Sequence, residues 1–74
     1  MKKYHLFSGA SYADKAYYDS FETIELAKVK FKEDGFADVG DIYETQLDGS
    51  LKLKLTYGTY WNQGKGNVAE WRAG

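Results

Sequence analysis

The 74-residue chain has no cysteine, no proline and a single histidine, His5. Without cysteine there is no disulfide, and with one histidine there are too few ligands for a structural zinc site. A chain this short hides only about 60% of its unfolded surface on folding, so apolar packing must hold it together, with or without self-association. The absence of proline, of low-complexity tracts and of internal repeats leaves no linker, and residues 1–74 read as one domain. No apolar run approaches the roughly 20 residues that a bilayer span requires. Met1-Lys2-Lys3 has the charge of a signal-peptide start, but residues 4–13 include His5, Ser8 and Ser11 and never become a continuous apolar segment. The expectation is a cytoplasmic protein that does not enter the membrane, and the lack of cysteine is compatible with a reducing compartment.

Charge of one sign is also lacking. Ten Lys and Arg face eleven Asp and Glu, a net charge of −1, which supplies no global field toward nucleic acid or anionic lipid. Catalytic patterns are missing as well. Ser8, Ser11, Ser20 and Ser50 have no partner arrangement that marks a nucleophile. Asp34, Asp38 and Asp41 lack the spacing of a calcium-binding loop. Gly64-Lys65-Gly66 lacks both the phosphate-loop pattern and the Ser or Thr that follows its lysine. The expected protein is therefore not an enzyme and carries no metal or cofactor.

What the sequence has in abundance is aromatic rings. Seven Tyr, four Phe and two Trp make up 18% of the chain, and each ring buries roughly 150–250 Å². Residues 3–8 and 16–21 read as two strands of a hairpin, with a polar turn over 11–15. The stretch 23–34 carries both periods. Thr23 as cap, Glu25 in the first turn, Lys30 and Lys32 late, and Gly35 as closing residue favour a helix whose stripe is Ile24, Ala27 and Phe31 with Leu26 at its margin. Ala27, Val29 and Phe31, alternating with Lys28, Lys30 and Lys32, favour a strand. Residue preference decides for the helix. Residues 41–46 and 50–57 flank Leu47-Asp48-Gly49, a three-residue hairpin loop with Gly49 at the position of positive φ. Its odd length sets Tyr43 and Thr45 on one face with Leu51, Leu53 and Leu55, and Ile42, Glu44, Gln46, Lys52, Lys54 and Thr56 on the other, with Glu44 near the lysines. Residues 62–67 read as a flexible turn and 68–72 as a last strand. The predicted fold is α+β, a five-stranded antiparallel sheet with one helix in the order ββαβββ; the alternative is a small all-β barrel.

Three groups of residues are candidates for binding. Lys52, Lys54 and Thr56 form a solvated row or, with Lys65, a phosphate-contacting one. Tyr57, Tyr60 and Trp61 close the core or protrude as anchors. Tyr17, Tyr18 and Asp19, with Asp14 and Glu22 nearby, form an acidic and aromatic strand suited to a basic protein surface, and alternation buries one of the two tyrosines.

The two-strand start, the Thr23-capped helix with its Ala27-Lys28 step, and the three-strand finish with the Asp48-Gly49 hairpin and a late tryptophan resemble the layout of small phage-encoded inhibitors of bacterial defence, including some anti-CRISPR proteins. That resemblance implies a short, cytoplasmic, non-enzymatic inhibitor that blocks a defence complex by occupying its nucleic-acid-binding surface. It transfers no contact residue. The expected function is thus a protein-binding inhibitor using Tyr18, Asp19 and Glu22 or Tyr60 and Trp61. The alternatives are a nucleic-acid-binding domain using Lys52, Lys54 and Lys65, and a homodimeric module that pairs strand edges; the state is monomer or homodimer.

Overall fold

The computed structural model describes residues 2–34 and 38–74. In chain order the elements are β1 (Tyr4–Gly9), a 3-10 turn (Tyr12–Asp14), β2 (Ala16–Phe21), α1 (Ile24–Asp34), β3 (Val39–Thr45), β4 (Leu51–Asn62) and β5 (Gly66–Ala73). All strand pairs are antiparallel, in the order β2-β1-β3-β4-β5. This is the expected α+β layout. The sheet stays open, with β2 and β5 at its edges, so the barrel alternative is not formed. No helix among the described residues is long and apolar enough to cross a membrane.

The stretch that carried two periods is a helix. Thr23 Oγ1 accepts the Leu26 backbone N–H at 3.2 Å, a side-chain cap on an otherwise unsatisfied first-turn donor. The predicted stripe faces the sheet: Ala27 and Phe31 are buried and Ile24 is half-buried, while Leu26 and Val29 stay exposed. Gly35, expected to close the helix, lies outside the described residues. The core joins Ala27 and Phe31 to Leu6 of β1 and Ile42 of β3, with Tyr4, Phe21, Leu55, Tyr57 and Trp71 packed around them. Phe31 reaches furthest. Its ring meets Tyr57 at 4.8 Å and Trp71 at 5.1 Å between centroids, so one helical side chain ties α1 to the distant β4–β5 hairpin.

The β3–β4 loop has the expected form, with Gly49 at φ +89° and the Gln46 N–H bonded to the Ser50 carbonyl at 2.8 Å. Register agrees near the loop, where Thr45 faces Leu51 and Tyr43 faces Leu53, and then changes. A bulge between Ile42 and Tyr43 leaves Lys54 as an extra residue, so Ile42 faces Leu55 and Asp41 faces Thr56. Leu55 therefore joins Ile42 on the helix side, while Leu51 and Leu53 stay with Tyr43 on the other. The prediction that all three leucines share one face fails at this bulge. Glu44 takes its ion pair from Lys3 of the N-terminal segment, at 3.4 Å, with Lys52 opposite it in the register. The last hairpin is longer than expected: β4 continues through Gly58 to Asn62, which pairs with Gly66, so only residues 63–65 turn.

Two carboxylates near this loop make stability depend on acid. Hydrogen bonds from Gln46 and Tyr4, together with the Lys3 ammonium, hold the Glu44 carboxyl below its usual range. Hydrogen bonds from the Ser50 hydroxyl and backbone N–H do the same for Asp48. Both groups ionise more readily folded than unfolded. Their contribution is thus present above the unfolded carboxylate range and is lost as pH falls through the depressed folded values. Urea midpoints measured from neutral pH into acid fall less steeply for Glu44→Gln/Asp48→Asn than for the wild type; an unchanged slope contradicts this assignment.

Candidate functional site

The helix covers one face of the sheet; on the other, among the described residues, the turn before β2 closes over the Gly9 and Val39 end, and no helix or strand covers the rest. That second face is not polar. In β1, Leu6 points to the helix while His5 and Phe7 point away. Phe7 packs edge-on against Tyr43 of β3 and Tyr17 of β2, each at 5.4 Å, so a row of three rings crosses three strands. Leu53 and Leu51 of β4 extend it beyond Tyr43. Tyr17 is 55% exposed and Leu51 49%, so the row ends in apolar side chains that meet solvent.

Two bulges build this face. The one in β3–β4 turns Leu53 and Leu51 toward it. The other lies opposite Leu6 and Phe7 and leaves Tyr18 as the extra residue of β2, so that Tyr17 is the partner of Phe7. Neither Tyr17 nor Tyr18 is buried, contrary to strict alternation, because an irregular strand at the sheet edge need not alternate.

The polar groups on this face satisfy one another. Lys15 Nζ donates to Asp41 Oδ2 at 2.6 Å, and the Thr56 hydroxyl donates to Asp41 Oδ1 at 2.7 Å. Asp41 is buried under this pair, beside a recess of about 340 Å³ lined by Phe7, Tyr43 and Leu51. His5 Nε2 lies 2.7 Å from the Thr45 hydroxyl and its ring lies 6.1 Å from that of Tyr17, which gives the single histidine a structural setting. Further along, the Arg72 guanidinium lies 4.0 Å above the Tyr60 ring and reaches Glu70 at 3.6 Å. Each of these cations has a carboxylate beside it, so the face is aromatic without being basic. Among the described residues no three His, Asp or Glu side chains lie close enough to hold a metal ion.

The residues singled out from sequence are distributed as follows. Asp19 and Glu22 line a groove of about 510 Å³ between β2 and α1, floored by Phe21, Leu26 and Val29, and Tyr18 is 39% exposed on the same edge strand. Tyr57, Tyr60 and Trp61 do not cluster. Tyr57 packs against the core, Tyr60 lies under Arg72 on the uncovered face, and Trp61, on the helix side, is 71% exposed. The β2 group and the Tyr60 and Trp61 pair are separated by β1 and β3, about 14 Å at the usual strand spacing. They cannot act as one anchor. Lys52 and Lys65 stand at opposite ends of β4, about 33 Å apart along the strand, so with Lys54 they form no continuous basic patch.

The ring row of Tyr17, Phe7 and Tyr43 was not singled out as a site, although a signal for it existed. The run Tyr4-His5-Leu6-Phe7 and the pair Ile42-Tyr43 place apolar side chains at successive strand positions, and hence on both faces. No protein-family model, curated protein or solved structure matches this chain.

Proposed function

We propose that this chain is a small non-enzymatic protein-binding domain whose docking surface is the uncovered face of the sheet. The observation that carries the reading is the row of Tyr17, Phe7 and Tyr43, continued by Leu53 and Leu51, half-buried along its middle and exposed at both ends, on a face where Lys15 and Arg72 are paired with carboxylates. Rigid rings on a flat scaffold lose little entropy when covered, and aromatic side chains are the commonest strong anchors of protein interfaces. The partner chemistry that fits is an apolar protein patch, since Lys15 and Arg72 on this face already have carboxylate partners within the chain. Paired cations argue for protein over nucleic acid, which needs unneutralised Lys and Arg to displace counterions. The sharper form of the proposal follows from the layout resemblance: a steric inhibitor that occupies a working surface of a bacterial defence complex.

The test is affinity capture from bacterial lysate with nuclease, comparing the wild type with Tyr17→Arg/Leu51→Glu, two exposed positions at the margins of the row. Proteins retained by the wild type are released by the double variant and kept by Leu47→Glu on the exposed β3–β4 loop. Equal retention by all three chains removes the uncovered face from the function. Loss only in Asp19→Lys/Glu22→Lys transfers the site to the β2–α1 groove, and capture that disappears with nuclease replaces the protein partner by nucleic acid.

A further inference from the structure

The two edges of the sheet are unequal. β2 is the shorter of the two and interrupted by the bulge at Tyr18, both of which discourage pairing with another strand. β5 has eight residues in unbroken register with β4 and no bulge. It also contains no proline and no lysine, the usual devices for blunting an edge.

The direction of its free backbone groups can be derived. The Gly74 N–H donates to the Lys54 carbonyl at 3.1 Å, which continues the register that pairs Ala73 with Leu55. Hydrogen-bonded and non-hydrogen-bonded pairs alternate along an antiparallel ladder. Arg72, Glu70 and Val68 therefore bond to β4, whereas Ala73, Trp71, Ala69 and Asn67 turn their N–H and C=O groups outward. Among the described residues no strand lies beyond them.

We infer that this edge pairs with β5 of a second copy of the chain, antiparallel, about a two-fold axis through Trp71. In that register Trp71 faces Trp71 of the second copy and Ala69 faces Ala73, three pairs whose outward backbone groups can all bond. The side chains select it. Glu70 and Arg72 lie on the same face, already 3.6 Å apart within one chain and both accessible. With the axis at Trp71, Glu70 stands opposite Arg72 of the second copy, and Arg72 opposite its Glu70. The four charges then form an alternating square. Moving the axis by one residue sets Glu70 against Glu70 or Arg72 against Arg72, which is unfavourable for directly opposed positions. The stacking of Arg72 on Tyr60 holds that guanidinium on the correct face.

The other face gains apolar contact. Trp71 forms the edge of a groove of about 600 Å³ between β5 and α1, lined by Val29, Phe31 and Tyr57 and flanked by Lys28 and Lys32. A perpendicular two-fold axis puts both helices on the same side of a ten-stranded sheet. The two Trp71 rings then lie side by side, and the grooves join above them. This surface is separate from the ring row on the uncovered face, and the inference does not rest on the function proposed for that row.

Sedimentation velocity from micromolar to near-millimolar concentration tests it. The wild type shifts from monomer toward dimer. Glu70→Arg or Arg72→Glu alone raises the dissociation constant about tenfold or more, since each creates two like-charge oppositions. The double variant Glu70→Arg/Arg72→Glu restores dimerisation, because the exchanged charges remain complementary across the axis. Ala69→Pro removes an outward N–H that β4 does not use, so it abolishes the dimer while the circular dichroism spectrum is retained. A monomer at every concentration overturns the inference, as does a dimer indifferent to both charge reversals and Ala69→Pro. Loss of the dimer in Tyr17→Arg/Leu51→Glu, with no effect of Ala69→Pro, also overturns it, because the copies would then meet through the uncovered face.

Discussion

Phe31→Ala lowers the free energy of unfolding by about 3–5 kcal/mol, the range for deleting a buried aromatic ring. For a 74-residue chain, whose whole stability is of the order of 4–11 kcal/mol at typical values per residue, that is a large part of the total. The ring spans from the helix to both Tyr57 and Trp71, so its loss also loosens the β4–β5 hairpin from α1. The opposite change at the same place is harmful for the complementary reason. A Cβ on Gly40 falls 2.5 Å from Phe31 Cε1, so Gly40→Ala pushes the ring off the sheet and costs about 1–3 kcal/mol by overpacking. Urea unfolding followed by tryptophan fluorescence measures both, because Trp71 packs on Phe31. A change below about 1 kcal/mol for Phe31→Ala would show that the helix is not held by this ring.

Asp41→Ala is expected to cost about 3 kcal/mol, the lower end of the range for breaking a buried ion pair. Two groups depend on the carboxylate, Lys15 at 2.6 Å and the Thr56 hydroxyl at 2.7 Å, which tie the start of β2 and the middle of β4 to β3. The value sits at the lower end because the Lys15 side chain remains one-fifth exposed and its ammonium can turn to water. Replacing both partners by apolar residues, Lys15→Met/Asp41→Leu, brings stability back to within about 1 kcal/mol of the wild type, since no uncompensated charge is left. A double variant no better than Asp41→Ala alone would mean that the pair positions the 3-10 turn and β2 in a way that packing cannot replace. The same double variant enlarges the apolar row beside Phe7 and Tyr43, so it should strengthen, not weaken, capture of an apolar partner.

The two results differ in how far the sequence announced the side chains involved. Phe31 was legible as core, because Ile24, Ala27 and Phe31 repeat at helical spacing after a capping Thr23. Its contacts with Tyr57 and Trp71 were not, because they join residues 26 and 40 positions apart in the chain. Lys15 and Asp41 carried no signal at all. One sits after a polar turn and the other near the start of a strand, and only the passage of β1 between β2 and β3 brings them together.

The candidate site divides in the same way. Tyr18, Asp19 and Glu22 are exposed on the β2 edge as their polar surroundings suggested, with Asp19 and Glu22 at a groove that the sequence did not reveal. Tyr60 and Trp61 looked like a cluster because they are adjacent, but adjacency in a strand means opposite faces. Tyr57 shares the helix-side face with Trp61, but four residues earlier it meets Phe31 and joins the core.

By itself the sequence determined those features that depend on neighbours within a few residues: the Thr23 cap and the helical stripe, the loop closed by Gly49, the number and order of the elements, and the mixed-charge, ring-rich composition. Tertiary structure alone decided which side of the sheet each ring occupies. Two one-residue bulges, at Tyr18 and Lys54, reverse the facing of everything beyond them, and a bulge has no strong local signature because it is stabilised by the partner strand. It also decided that β5 is an edge, since edge or centre is a property of the whole sheet and not of any strand in it.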